Sequence, residues 1–203
     1  MKIICIGRNY VEHIKELNNA IPTSPVFFLK PDTALLIRNR PFYYPSFSTE
    51  IHYETELVLK ICKVGKNIQK KFAHTYYDEI GIGLDMTARD LQDAAKSKGL
   101  PWAAAKGFDQ SAPIGKFLPK ATFQDVKNIN FHLDLNGTTV QRGNSGMMMY
   151  DFDEIIAAVS NYMTLRTGDY IFTGTPAGVG PVKVGDKLEA WMEGEKLLSC
   201  LIK

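Results

Sequence analysis

The sequence predicts a β-rich α+β fold. Three observations carry that prediction. Segments with a two-residue alternation outnumber those with a helical period. Two turn signals, Asn136-Gly137 and Glu193-Gly194, each sit between paired apolar runs and read as hairpins. Only residues 152–164 carry a long, clear helical stripe. Most connections therefore read as antiparallel.

Taken in order, residues 3–6 read as a short strand that Gly7 ends, and residues 9–18 as a short helix bounded by Asn18 and Asn19. Between residues 21 and 49, prolines at 22, 25, 31, 41 and 45 leave room only for short extended pieces such as Phe27-Phe28-Leu29-Lys30. Such a stretch suits either a mobile flap over a site or a plain irregular connection. Residues 50–62 alternate as one long strand. Ile51, Tyr53, Thr55, Leu57, Leu59 and Ile61 share one face; Glu50, His52, Glu54, Glu56 and Lys60 share the other, with Val58 the exception. Residues 79–86 read as a second strand, with Gly81 and Gly83 on the side of Asp85. Thr87 reads as a helix N-cap, with Asp90 completing a capping-box pattern. That helix runs to about Lys98, where Gly99 caps it and Pro101 blocks continuation.

A hairpin follows over 129–142. In the helix at 152–164, Phe152, Ile155, Ile156, Val159, Tyr162 and Met163 line one side and Asp151 stands near the start. A strand at 170–173 leads into a Gly/Pro-rich loop at 173–181. The chain closes on a hairpin of 187–192 and 196–202.

With 203 residues, the chain suits one domain, 1–203, in which 1–49 form an N-terminal strand, helix and possible lid and 50–203 a β-rich core. A chain of this length buries roughly 70% of its unfolded surface, enough for a core without covalent staples. The formal net charge of +2 is too small to argue for a nucleic acid or an anionic membrane as partner. Cys5, Cys62 and Cys200 are widely spaced and match no zinc or redox motif, so they read as reduced, structural thiols. The N-terminus has only a four-residue apolar run, too short for a signal peptide. No stretch approaches a membrane span. A cytoplasmic protein is the expectation.

Chemistry concentrates at a few positions. Glu54 and Glu56 stand at i and i+2 of a strand, on one face and roughly 7 Å apart at Cβ. Two carboxylates so placed suit either a solvated face or a shared hard cation, Mg²⁺, Mn²⁺ or Ca²⁺. Asp85 lies on a strand whose glycines are compatible with close approach of a ligand or of another backbone. His13 and Glu16 share a helical face, where a carboxylate can orient an imidazole for proton transfer from water. His52 shares the face of Glu54 and could line the edge of a site, whereas His74 and His132 read as structural or surface residues. Lys106, after three alanines and before Gly107, fits a buried ammonium facing an anion or an ordinary loop lysine. The 173–181 loop could offer backbone N–H groups to a carboxylate or phosphate, although it is not a P-loop.

Six segments in order resemble the fumarylacetoacetate hydrolase family. They are Gly7-Arg8-Asn9-Tyr10 with His13 and Glu16; Phe28-Leu29-Lys30-Pro31; His52 through Leu57; Gly83 through Gln92; Lys106 through Asp109; and Thr173 through Gly180. They span nearly the whole chain, and the nearest likeness is to the short single-domain branch of acylpyruvases and oxaloacetate decarboxylases. The resemblance implies a mixed β-sandwich/roll with a few peripheral helices, usually dimeric. It implies Mg²⁺ or Mn²⁺ on Glu54, Glu56 and Asp85. It implies Arg8, Gln92, Lys106, Gly174 and Thr175 around a small 2-oxo acid, and His13 with Glu16 as a water-activating dyad on a segment that closes over ligand in relatives. The activity implied is cleavage of a C–C bond in 2,4-dioxo acids (acylpyruvates), leaving pyruvate enolate held at the metal. The alternatives are oxaloacetate decarboxylation or tautomerisation, and isomerisation or decarboxylation of 2-hydroxy-dienedioates. A non-catalytic binding protein is the remaining reading.

Overall fold

A computed structural model describes residues 1–16 and 20–203. Strand residues outnumber helical ones, 37% against 22%, as the alternation requires. The first strands are β1 (Ile3–Gly7), β2 (Val26–Lys30), β3 (Leu35–Leu36), β4 (Ile51–Tyr53) and β5 (Thr55–Ile61). β6 (Tyr77–Leu84), β7 (Thr87–Ala88), β8 (Ala112–Pro113), β9 (Leu118–Pro119), β10 (Asn130–Leu135) and β11 (Thr138–Asn144) follow. The last are β12 (Tyr170–Phe172), β13 (Gly180–Pro181), β14 (Lys187–Met192) and β15 (Glu195–Leu201). The helices are α1 (Val11–Glu16), α2 (Lys70–Ala73), α3 (Arg89–Ser97), α4 (Ala103–Lys106) and α5 (Phe152–Tyr162). The expected end of the first helix, at Asn18-Asn19, lies outside the described residues, as does that end of the possible lid.

A six-stranded sheet runs β2-β1-β12-β5-β6-β9, and a four-stranded sheet runs β11-β10-β14-β15. The antiparallel expectation holds for most pairs; β1 with β12 and β3 with β8 are parallel. The main core lies between these sheets and α5. Leu57, Leu59, Ile80, Ile82 and Ile171 meet Phe131, Leu133, Leu188, Ala190 and the Phe152-Ile155-Ile156-Val159 stripe there. α5 carries a complete capping box: Asp151 accepts from Glu154 N–H, and Glu154 accepts from Asp151 N–H. Both hairpins form at the expected turns, with Asn136 and Gly137 at φ +52° and +81°. Among the described residues, no helix is long and apolar enough to cross a membrane.

Three expectations need correction, and each correction bears on the site. Residues 50–62 are not one strand. The run breaks at Glu54, where β4 leaves to pair with β7 and β13 while β5 stays in the large sheet. On the polar face of that run Glu54 and Glu56 are buried rather than solvated, whereas Glu50 is exposed. Thr87 is not a helix N-cap. It lies in β7 and its hydroxyl donates to the Asp85 carbonyl, so α3 begins at Arg89 without a side-chain cap. Asp90 instead accepts from Ser48 Oγ, Thr49 N and Leu91 N. Finally, Gly81 and Gly83 do not face a ligand. A Cβ at Gly81 would stand 2.9 Å from the Phe117 ring, and one at Gly83 would stand 2.7 Å from the Phe172 ring. The glycines admit these rings to a second, smaller core of Ile3, Cys5, Val58, Ile114 and Phe172. Glycine in the strand correctly marks a close approach; rings arrive at both positions, and at Gly83 a backbone does too, with the Pro113 carbonyl 3.0 Å from where a Cβ would stand.

Candidate active site

The break after β4 builds the site. Glu54 belongs to neither strand, and its carbonyl accepts from the Asp85 N–H at 2.8 Å. Two carboxylate residues far apart in sequence therefore sit side by side where β5 and β6 end. Glu56, one pleat further along β5, pairs with Gly83 and directs its carboxylate to the same place. One carboxylate oxygen from each of Glu54, Glu56 and Asp85 lies within 4.8 Å of the others, and all three residues are buried.

Cations hold two of these carboxylates. Lys106, at the end of α4 and only 2% exposed, donates to Glu54 Oε2 at 2.8 Å, to Asp85 Oδ2 at 2.8 Å and to Thr87 Oγ1. It is thus a buried ammonium on a helix, not a loop lysine. Arg89 donates to Glu54 Oε1 at 2.6 Å and to Gln92 Oε1. Burial alone would push Glu54 up; the Lys106 and Arg89 charges, with His13 adding, overcome it and hold the carboxyl well below the usual range. For Lys106, burial favours the neutral amine, but Asp85 and Glu54 outweigh it and raise the ammonium above its usual range. Glu56 has no such partner. Burial first, then the Asp85 and Glu54 charges, push it well above the carboxylate range, against the opposing Gly174 N–H at 2.7 Å.

Lys30 underlies the site from β2. Its Nζ lies within hydrogen-bond reach of the Met86, Lys106 and Ser111 carbonyls and of Ser111 Oγ, which share its three N–H donors and fix the backbone that carries Lys106. It also stands 2.8 Å from Asp85 Oδ1, but outside hydrogen-bond geometry. Asp85 Oδ1 is thus a buried oxygen with no hydrogen bond among the described residues. An all-oxygen donor set, one buried oxygen without a hydrogen bond and a like-charge cluster fit a hard divalent cation.

The dyad lies against the same cavity. His13 is buried on α1, with Nδ1 3.1 Å from Glu16 Oε2. Glu16 is itself anchored, its Oε1 accepting the Gly178 N–H at 3.0 Å. The 173–181 loop therefore gives N–H groups to carboxylates as its composition suggested, but to the protein's own Glu56 and Glu16. Glycine is required at 178, where φ is +99° and a Cβ would stand 2.3 Å from the Val140 carbonyl. Gln141 sets the loop in place by accepting from Thr55 N and donating to Thr175 Oγ1 and the Pro176 carbonyl.

These groups enclose a cavity of about 40 Å³. His13, Glu54, Glu56, Asp85, Gln92, Lys106, Thr175 and Arg8 all line it. Arg8 holds φ +59°, an unusual conformation for a side-chain-bearing residue, between β1 and α1. Gly174 contributes through its N–H on Glu56. His52 stays at the edge, its Nε2 2.8 Å from Glu50 Oε1 and its Nδ1 3.4 Å from Arg89 Nε. The sequence gives no site role to Lys30, Arg89, Lys96 or Gln141, and reads Thr87 only as a helix cap. Arg89, Gln92 and Lys96 follow an i, i+3, i+7 helical face and were legible on that basis; Gln141, on a distant hairpin, carried no local signal.

A buried carboxylate triad that could hold a metal ion, beside an ammonium and a histidine paired with a carboxylate, gives the site the make-up of an enzyme active site. Comparison with known proteins narrows the class. Residues 2–201 match the family described as fumarylacetoacetate (FAA) hydrolase, C-terminal. A mitochondrial oxaloacetate decarboxylase of Dictyostelium discoideum is 43% identical over 194 residues, which are 95% of this chain and 89% of that protein. A mitochondrial oxaloacetate tautomerase of Bos taurus is 42% identical over 192 residues, 95% of this chain and 87% of that protein. Among solved structures, fumarylpyruvate hydrolase from Pseudomonas aeruginosa, in complex with Mn²⁺ and pyruvate, superposes with a TM-score of 0.94 at 34% identity. That superposition covers 100% of this chain and 89% of the other. The chain belongs to the fumarylacetoacetate hydrolase family.

Proposed function

We propose that this chain cleaves a C–C bond in small 2,4-dioxo acids, the acylpyruvates, by hydrolysis. The observation that carries the reading is the His13–Glu16 pair, buried at the cavity wall and anchored by Gly178. The cavity that it faces also holds Glu54, Glu56 and Asp85. Those three residues would hold Mg²⁺, with Mn²⁺ or Ca²⁺ as alternatives, and the ion would supply Lewis-acid stabilisation of negative charge on a 2-oxo oxygen. The Mn²⁺ and pyruvate in the Pseudomonas relative support both the metal and the 2-oxo acid.

The chain's own residues then divide the work. Arg8, Gln92 and Thr175, with the Gly174 backbone, bind and orient the 2-oxo acid. Glu16 holds His13 in the tautomer that carries hydrogen on Nδ1, which leaves Nε2 free to take a proton from water. The hydroxide adds to the 4-oxo carbon and the C3–C4 bond breaks. The electron pair passes to the pyruvate part as its enolate, and the acyl part leaves as a carboxylic acid. The Lys106 ammonium meets the enolate charge from a fixed position, so little reorganisation accompanies the charge shift. The enolate regains a proton at C3 to give pyruvate. The family resemblance supports a homodimer as the assembly.

A second reading is favoured by the oxaloacetate decarboxylase and tautomerase relatives. Decarboxylation of oxaloacetate leaves the same enolate without any attacking water, and tautomerisation only moves a proton between C3 and the 2-oxo oxygen. His13→Ala separates hydrolysis from decarboxylation. Acetylpyruvate cleavage is expected to fall by about 10²–10⁴, the range for loss of a general base, while CO₂ release from oxaloacetate falls far less. Unchanged acetylpyruvate cleavage in the variant contradicts the assigned role of His13.

A further inference from the structure

Besides Arg8, already given to the 2-oxo acid, the cavity is lined by one further cation that neither the metal site nor the dyad employs. Arg89, Gln92 and Lys96 lie at i, i+3 and i+7 of α3, one face of the helix, and all three line the cavity. Arg89 marks the carboxylate end through its bond to Glu54. Lys96 lies about 10 Å further along the helix axis, at 1.5 Å per residue. Its side chain leans back toward Arg89, because helical side chains point toward the N-terminus.

A wall of alternating cations and rings joins the two ends. Lys106 Nζ lies 5.3 Å from the Phe28 ring centre, Phe28 meets Trp102 edge-on at 6.1 Å, and Lys96 Nζ lies 5.7 Å from the Trp102 ring. Lys96 is not a solvated surface lysine, since its side chain is 27% exposed. Among the described residues, the one carboxylate within ion-pair range is Asp93, at 3.6 Å and itself 64% exposed. That distance exceeds a hydrogen bond, and such exposed pairs contribute little. Burial first, and then the Arg89 charge, hold the ammonium below its usual range, and Asp93 does not restore it. The cation is therefore short of an anionic partner on the side that faces the cavity.

Building on the proposed 2-oxo acid chemistry, we propose that Lys96 is a specificity residue that pairs with a second carboxylate at the far end of the substrate. The first carboxylate and the 2-oxo group sit at the Glu54–Glu56–Asp85 end, the middle of the chain lies along Phe28 and Trp102, and the distal carboxylate reaches Lys96.

Calorimetric titration of the Mn²⁺-loaded protein tests this with two unreactive probes, pyruvate and 2-oxoglutarate, which share the 2-oxo acid head and differ in the distal carboxylate. Wild type is expected to prefer 2-oxoglutarate. In Lys96→Met that preference falls about tenfold, the factor for loss of roughly 1.4 kcal/mol. Lys96→Arg, which keeps the charge, restores most of it. Binding of both probes with a preference unchanged in Lys96→Met overturns the inference and leaves the 2-oxo acid reading standing. Failure of wild type to bind either probe overturns that reading and the inference with it.

Discussion

Glu56→Gln is expected to weaken Mn²⁺ binding at least about 100-fold, since changing even the partners of metal ligands costs 10–100-fold. Turnover of any 2-oxo acid substrate falls by about 10²–10³, the several kcal/mol that a Lewis acid supplies. Glu56 is the informative member of the triad because no ammonium or guanidinium depends on it. Its one donor among the described residues is the Gly174 N–H, which the amide oxygen of glutamine can still accept. The variant should therefore fold. It should also be no less stable than wild type without metal, because it removes one of three carboxylates whose oxygens crowd within 4.8 Å. Loss of metal binding and activity with an unchanged or raised thermal midpoint separates a functional carboxylate from a structural one. A lowered midpoint with metal affinity intact would contradict the assignment.

Lys106→Met should fail in the opposite way. The ammonium is the shared partner of Glu54, Asp85 and Thr87, and all four residues are buried. Removing it leaves buried carboxylates short of a partner, which typically costs about 3–5 kcal/mol. Loss of a preorganised charge also lowers turnover by about 10²–10³. A divalent cation carries charge to the same carboxylates, so Mn²⁺ is expected to recover part of the lost stability but not the lost turnover. Urea unfolding with and without Mn²⁺, run beside kinetics, reads both. A variant as stable and as active as wild type would remove Lys106 from the account.

Much of this site was legible in the sequence, and the reasons differ by residue. Strand parity makes Glu54 and Glu56 candidates, and helical spacing does the same for His13 with Glu16, each beside a solvated alternative; the six ordered segments that resemble the family single them out. Asn136-Gly137 is local, so turn chemistry alone places it; of the Asp151–Glu154 capping box only Asp151, near the helix start, is placed by the sequence. What was not legible depends on partners distant in the chain. The alternation over 50–62 gave no sign that the strand would break at Glu54. That break follows from β4 finding β7 and β13 while β5 finds β6, a competition decided by the rest of the fold. Gly81 and Gly83 read as room for a ligand or a backbone, and the Phe117 and Phe172 rings that enter there are not neighbours in sequence. Thr87 read as a cap because the composition of a helix start resembles that of a short strand entering a helix. Lys30 lies far in sequence from Lys106 and Ser111, and only the folded chain shows that its ammonium holds the backbone under the site.

Removal of the metal tests the central claim most directly. Protein stripped with a chelator and exchanged into metal-free buffer is assayed on acetylpyruvate and oxaloacetate, then titrated with Mn²⁺ or Mg²⁺. The triad on Glu54, Glu56 and Asp85 predicts that turnover falls by at least about 10² on stripping and returns in full as the added cation saturates a single site. Full turnover in the presence of excess chelator would contradict a metal-dependent enzyme built on these three carboxylates.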